Sequence, residues 1–359
     1  MEFCNIFLSL VKSNCSNVKS NQTIIVANHT SKRHVKMYKR IITHADFDGV
    51  VCATICSHVF NIDFIVFTQP RLVNEAKIAI TKEDIVCDLP FPLECGMWFD
   101  HHEGNLEELK YRNIDIESIN GKFEAAPSCA RVIYNYFSSM DLPDHFEPIV
   151  EETDIIDSFD YKDIEDWRRK TPGKTIEATI KLKEPSAQRK WAHLRNLVQN
   201  LKTRPIEEVS KMPSVRKRYR QYLDEEERML EQIKKEIAFL PEDTEHRLII
   251  LDMTHYKHQP NVLKHLAYLV HPEAQAVLQI SNLFSNHTKT NDLSFSMSLS
   301  LNLKTEEHSK DVGDIMRILN LGGGHPGAGA GVKHCSGKEE MVKTKDEIIH
   351  QIFKLFENQ

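Results

Sequence analysis

No stretch of this 359-residue chain is apolar for long enough to span a membrane, so no membrane partner is expected. Its eight cysteines, at 4, 15, 52, 56, 87, 95, 129 and 335, form no paired framework. They read as thiols, most of them buried, in a reducing compartment, and the expected location is the cytoplasm. Cys52 and Cys56 are one helical turn apart, but no second pair completes a zinc site. The sequence has no Walker loop, no G-x-S-x-G elbow and no H-E-x-x-H, which removes support for those hydrolase classes. Internal repeats and low-complexity tracts are absent as well. The opening "MEFCNIFLSLV" lacks a basic n-region and a small-residue cleavage site, so it does not read as a signal peptide. The polar, basic stretch that follows is expected to make residues 1–39 a flexible extension.

What is present is a globular composition, 41% hydrophobic and 27% charged, with an uneven spread of charge. Residues 1–40 carry seven Lys/Arg against one acid, residues 41–245 have a net charge of −12, and residues 246–359 balance. An acidic block of that size is a poor surface for long nucleic acid, and no long duplex is expected as a partner. It suits divalent cations, or a small anionic substrate drawn to a local basic pocket.

Short apolar runs bounded by turn residues begin at residue 40. "RIITH", "DFIVF", "DIVCD" and "GMWFD" read as strands. "VVCATICSHVF", "VNEAKIAI", "SCARVIYNYF" and "HFEPIVEETDIIDSF" read as helices. This alternation predicts an α/β fold with an open parallel sheet, whose ligands gather at the carboxyl ends of the strands. Residues 205–245 are heavily charged, with Leu230, Ile233, Ile237 and Leu240 on one helical stripe, and read as a linker helix. A smaller α/β segment follows over 246–359: strands in "HRLIILDM", "AQAVLQIS" and "DLSFSMSLSLNL", a helix in "DVGDIMRILNL", a glycine-rich loop and a closing amphipathic helix. The expected domains are thus 40–204 and 246–359.

The strand ends concentrate the chemistry. "THADFDGV" offers His44, Asp46 and Asp48, "IVCDLP" offers Asp88, and "FDHH" offers Asp100, His101 and His102. A lone strand-end Asp before Gly is ordinarily a turn or helix cap, and a lone His after a strand ordinarily faces solvent. Three successive strands that all end in ligand-type residues are hard to explain by capping. Carboxylate and imidazole without cysteine favour Mn²⁺, Fe²⁺ or Mg²⁺, and this many acids suit a two-metal site acting at phosphorus. The second constellation is "LGGGHPGAGAG", residues 321–331, where Gly322, Gly323 and Gly324 leave backbone N–H groups open to phosphate and His325 adds a donor. Its formal G-x-G-x-x-G pattern follows a helix pattern and not a strand, which weakens a dinucleotide reading.

Taken in order, "THADFDGVVCA", the Asp of "IVCDLP", "WFDHH", "TDIIDSFDY" and "GGGHPGAGAG" resemble the DHH phosphoesterase superfamily. The narrower resemblance is to its two-domain branch with a DHH-associated substrate-binding domain, which includes RecJ-like nucleases, nano-RNases and exopolyphosphatase-like proteins. It covers about residues 40–340. The resemblance implies a parallel-sheet catalytic domain and a smaller α/β substrate-binding domain, with the active site in the cleft between them. It implies His44, Asp46, Asp48, Asp88 and His101 as ligands of two Mn²⁺ ions (Mg²⁺ or Fe²⁺ being possible), with Asp88 bridging them. The last ligand is Asp157 or, three residues earlier, Asp154. His102 would face the scissile phosphate, Asp100 would orient the two histidines, and Gly322, Gly323, Gly324 and His325 would hold the substrate. The chain departs from the pattern in lacking an arginine on the strand before the glycine segment, and Lys304 is the nearest basic residue. The implied activity is hydrolysis of short oligonucleotides or linear dinucleotides by a two-metal-activated hydroxide, in a monomer or homodimer. The alternatives are an exopolyphosphatase or 3′-phosphonucleotide phosphatase, and a catalytically idle nucleotide-binding module.

Overall fold

Runs of β-branched and aromatic residues build the first sheet. Its strands are β1 (Arg40–His44), β2 (Ile65–Thr68), β3 (Asp84–Cys87), β4 (Met97–Asp100) and β5 (Gly121–Phe123). They lie in the order β2-β1-β3-β4-β5, every pair parallel. The inner part of such a sheet is buried on both faces, which is why Ile41–Ile42, Ile85–Cys87 and Met97–Phe99 are continuously apolar, whereas the edge strand β5 leaves Lys122 exposed. Ile41, Ile85, Cys87, Met97 and Phe99 face one layer of helices, and Ile42, Val86 and Trp98 face the other. The computed structural model describes residues 38–258, 260–285, 288–303 and 309–359, all within one compact unit. Residues 1–37 of the expected extension, and Lys304, lie outside the described residues.

The connecting helices are α1 (Phe47–Phe60), α2 (Pro70–Asn74), α3 (Glu103–Tyr111), α4 (Cys129–Tyr136), α5 (Phe146–Asp157), α6 (Ile164–Arg168), α7 (Pro172–Lys181), α8 (Ala187–Leu201), α9 (Ile206–Lys211) and α10 (Pro213–Glu236). The helix expected over 73–80 stops at Asn74. Ala76 there adopts a φ of 50°, and Ile78 and Ile80 pack as loop residues against the layer of Val86 and Trp98. The charged helix α10 connects two regions. Tyr222 packs against Ala178 of α7 and Leu182 just past its end, while Met229 and Ile233 pack under the second sheet with Ile249, Leu251 and Tyr268.

The second sheet contains β6 (Ile237–Ala238), β7 (Leu248–Asp252), β8 (Ala276–Ser285), β9 (Thr288–Leu299), β10 (Gly322–His325) and β11 (Ala328–Lys333), in the order β10-β11-β9-β8-β7-β6. Only β7 and β8 are parallel neighbours. One face is covered by α11 (Val312–Ile318) and α12 (Lys338–Asn358), the other in part by α10 and a 3-10 helix over Lys264–Leu269.

The glycine-rich segment, expected as a loop, is the hairpin β10–β11. Its glycines answer a packing demand: a Cβ on Gly313 of α11 would lie 2.4 Å from the Gly324 backbone, and one on Gly329 would lie 3.0 Å from Met316 and Val312. Small residues let the helix lie flat on the hairpin. Contacts tie the two regions together, with the Phe159 ring 5.0 Å from His265 and Arg168 making a two-pronged contact with Glu226. No helix among the described residues is long and apolar enough to cross a membrane.

Candidate metal centre

The first donors stand where β1 runs into α1. Asp46 caps the helix, accepting from the Gly49 amide at 2.9 Å, and the chain turns so tightly that a Cβ on Gly49 would lie 2.1 Å from the His44 carbonyl. The glycine is therefore required, and it brings His44, Asp46 and Asp48 to one sheet edge. Asp48 is buried and held at both oxygens by the N-terminus of α4, from Cys129 N and Ala130 N, each at 2.8 Å. Such backbone donors fix a carboxylate without adding a counter-ion.

The ends of β3 and β4 complete the edge. Asp88 sits just past β3 with a φ of 55°, a left-handed conformation that a non-glycine residue adopts at a cost. Its amide donates to the Phe99 carbonyl, and its two oxygens face different groups. Oδ2 lies 3.4 Å from His44 Nδ1, whereas Oδ1 lies 3.8 Å from His101 Nε2 and 3.7 Å from His102 Nδ1. The paired histidines diverge. His101 Nδ1 donates to the Ala126 carbonyl at 2.9 Å, so the lone pair is on Nε2, turned toward Asp48, Asp88 and Asp157 at 3.9, 3.8 and 3.3 Å. His102 Nδ1 instead meets Asp100 Oδ1 at 2.9 Å, and its side chain is half exposed. Asp100, steadied at Oδ2 by Asn105, therefore orients His102 alone; the Ala126 carbonyl does that for His101.

Helix α5 carries both candidates for the last ligand, and the structure separates them. Asp157 joins Asp48 and His101, with ligand atoms within 4.8 Å of one another. Asp154 is committed elsewhere: it accepts from Ser128 Oγ at 2.6 Å and pairs with Arg131 at 2.6 Å. Among the described residues two further trios meet the same distance criterion, Asp88–His101–His102 and His44–Asp46–Asp88.

The electrostatics are those of a site built for positive charge. Burial, then the neighbouring Asp46, Asp48 and Asp157, push Asp88 well above the carboxylate range. Burial, opposed by His101, pushes Asp48 up to about 6, and burial with Asp48 and Asp46 pushes Asp157 up to about 9. Burial works against the His102 imidazolium, yet the hydrogen bond to Asp100 prevails and its pKa rises. Two buried ligand-type atoms, Asp88 Oδ2 and His101 Nε2, have no hydrogen-bond partner. Crowded carboxylates and an inward lone pair fit hard divalent cations, which supply the missing partners.

The hairpin of Gly322, Gly323, Gly324 and His325 is not part of this cluster. No hydrogen bond, ion pair or ring contact among the described residues joins them. His325 Nδ1 accepts from the Gly327 amide, which leaves Nε2–H as a donor, and Arg317 of α11 donates to the Gly324 carbonyl. Sequence reading passed over Asn105, Ala126, Arg131 and the amides of 129 and 130. Three of these, Ala126, Cys129 and Ala130, act through backbone atoms, which leave no signature in residue type. Lys190 of α8 was passed over too; its ammonium is pulled down by burial and partly restored by Asp46.

No protein-family model matches the chain, and the search of curated proteins finds no match. Solved structures do match. A pGpG-specific phosphodiesterase from Vibrio cholerae is 22% identical with a TM-score of 0.63, the alignment covering 88% of this chain and 99% of that one. An exonuclease RecJ bound to manganese is 12% identical over 88% of this chain and 90% of that one, with a TM-score of 0.48. An exopolyphosphatase-related protein from Bacteroides fragilis is 10% identical over 89% and 94%, with a TM-score of 0.46. The likeness to the Vibrio phosphodiesterase runs over nearly the whole of both chains and shows that the two share a fold.

Proposed function

We propose that the protein is a metal-dependent phosphoesterase acting on short oligonucleotides or linear dinucleotides. The observation that carries this reading is Asp88, buried, backbone-strained, and presenting one oxygen to His44 and the other to His101 and His102. A carboxylate so placed fits a site for divalent cations. His44, Asp46, Asp48, Asp88, His101 and Asp157 would hold them. Two such ions, when bound, stabilise charge on phosphoryl oxygens and lower the pKa of water.

The chain's own residues supply the rest. The amides of Cys129 and Ala130 keep Asp48 aimed inward, and the Ala126 carbonyl keeps the His101 lone pair inward. His102, its pKa raised by the hydrogen bond to Asp100 and its side chain half exposed, would in its protonated form be a charged donor to a phosphate oxygen. The pGpG specificity of the Vibrio phosphodiesterase that shares the fold supports a dinucleotide over polyphosphate.

Substitution of Asp88 by Ala should abolish uptake of Mn²⁺, measured by metal analysis after titration, and reduce hydrolysis of pApA at least ~100-fold. Parallel assays on pApA, polyphosphate and phosphoadenosine test the substrate class. Undiminished turnover in D88A would overturn the reading, and a protein that takes up no metal would be the idle nucleotide-binding module.

A further inference from the structure

The acidic block over residues 41–245 is not uniform. Residues 41–180 carry twelve Lys/Arg against 27 acids (−15), but residues 181–220 carry twelve against three (+9). This cationic segment runs from the last residue of α7 through α8 and α9 into the start of α10. Within it, only Lys181, Lys202 and Arg218 form ion pairs among the described residues. Arg189 and Arg195 of α8, with Arg216, Lys217 and Arg220 of α10, are exposed and form none.

These charges stand where they cost stability. The start of a helix favours acids, as α9 and α12 show with Glu207–Glu208 and Glu339–Glu340. Neither α8 nor α10 has an acid in its first turn, and the first eight residues of α10 hold four cations. Arg216 and Arg220 are also four apart, a like-charge spacing that destabilises a helix. The two helix starts lie together, since Glu184, just ahead of α8, pairs with Arg218 of α10, and Leu194 and Val215 share one core cluster. Gln199, near the end of α8, bonds Asp63 ahead of β2, while at its start the Asp46 carboxylate acts on Lys190. The helix therefore runs along the first sheet toward the metal centre. Trp191, 37% exposed, is one turn from Arg195 on the same side of α8. An aromatic face beside a guanidinium suits an unstacked base and its phosphate, which a paired duplex does not offer and an acidic protein surface does not need.

We infer that the exposed cationic surface of α8 and α10, with Trp191, binds single-stranded oligonucleotide beyond the two nucleotides that a dinucleotide supplies. The inference extends the phosphoesterase reading to longer strands, with the surface holding the part of the strand that lies away from the metal centre. Phosphates along the strand supply the anions that Arg189, Arg195, Arg216, Lys217 and Arg220 lack, and the acidic remainder of the block confines the strand to this surface.

The test measures binding of a fluorescein-labelled ten-nucleotide oligoadenylate to the full-length protein by anisotropy, in EDTA so that nothing is cleaved. Affinity should fall steeply between about 50 and 200 mM KCl. In the triple variant Arg216→Gln, Lys217→Gln and Arg220→Gln, the slope of log affinity against log salt should flatten by about 2, three phosphate contacts having been lost. Glutamine keeps the helix propensity, so the fold is not the variable. Trp191→Ala should weaken binding about 5- to 100-fold, the loss of one stacked base. Hydrolysis of pApA with Mn²⁺ should stay near wild type in both variants. Binding and salt slope unchanged in the triple variant, or a loss of pApA hydrolysis as large as the loss of binding, overturns the inference and leaves the phosphoesterase reading intact. Polyglutamate that displaces the oligoadenylate at equal charge, or full binding in W191A, overturns nucleic acid as the occupant. Wild-type protein that binds the oligoadenylate in EDTA yet hydrolyses neither it nor pApA overturns the phosphoesterase reading and upholds the inferred surface.

Discussion

At the scale of single residues, the metal centre stores charge that the fold does not neutralise. Asp88 ionises near 4 when the chain is unfolded, but its folded pKa is raised well above that by burial and by four neighbouring carboxylates, Asp46, Asp48, Asp157 and Asp100. Above pH 4 the unfolded state loses this proton while the folded state keeps it. Stability of the metal-free protein should therefore decline as pH rises toward the raised folded pKa, by at most about 1.4 kcal/mol per pH unit from this one group. Asp88→Asn removes the titration and tolerates the left-handed φ, since Asn favours it. In EDTA the variant should melt above the wild type at pH 8, with the gap closing toward pH 4. Adding Mn²⁺ should reverse the order, because only the wild type gains binding energy from the ion. Thermal melts across that pH range check both statements. The paired histidines show how far residue type alone reaches. "FDHH" announced two imidazoles with divergent directions, as adjacent positions at a strand end require. The sequence could not show that one is oriented by a main-chain carbonyl and the other by Asp100.

At the scale of elements, α4 and α5 brace the centre from outside. Asp154 and Asp157 are one turn apart on α5, so fixing one helps place the other. Asp154 grips Ser128 and Arg131 at the start of α4, and the next two amides of that helix hold Asp48. Loss of Asp154 should therefore be felt at two ligands it does not touch. Asp154→Ala is expected to weaken Mn²⁺ binding about 10- to 100-fold, as outer hydrogen-bond partners of metal sites do, with the pH optimum of turnover unchanged. Titration of Mn²⁺ followed by activity gives the comparison, and Asp154→Asn, which keeps an acceptor for Ser128, should recover part of the loss. Four of the five strands of the first sheet were legible in sequence because their runs are short and apolar; the edge strand β5, with Lys122 exposed, carries no such signal. Two segments misled for opposite reasons. "VNEAKIAI" has a helical pattern, yet its isoleucines serve loop packing beside α2. "GGGHPGAGAG" looks like a loop, yet its glycines accommodate a helix lying on a hairpin, a demand from tertiary contact that local propensity does not encode.

At the scale of the whole molecule, the metal centre lies at the first sheet and the glycine hairpin that the resemblance assigns to the substrate lies in the second, so a substrate held by both requires the two to be aligned. Their registry depends on apolar packing of Ile164, Trp167 and Leu263 and on polar and ring contacts, among them the Phe159 ring on His265, the Arg168–Glu226 pair and the Ile164 amide on Asn302. Arg168 and Glu226 are polar and partly exposed, and such pairs hold geometry weakly. Phe159 contributes differently, because it lies two residues beyond Asp157 in the chain and adopts a φ of 57°, so its ring position is tied to that of the ligand. Phe159→Ala removes an aromatic contact worth ~0.5–1.5 kcal/mol. If the two surfaces must be aligned for a dinucleotide to bridge them, KM for pApA should rise about 2- to 10-fold, while Mn²⁺ affinity stays near that of the wild type. A loss of metal binding in F159A would mean instead that the ring supports Asp157 itself, and the two sheets would not need to act in register.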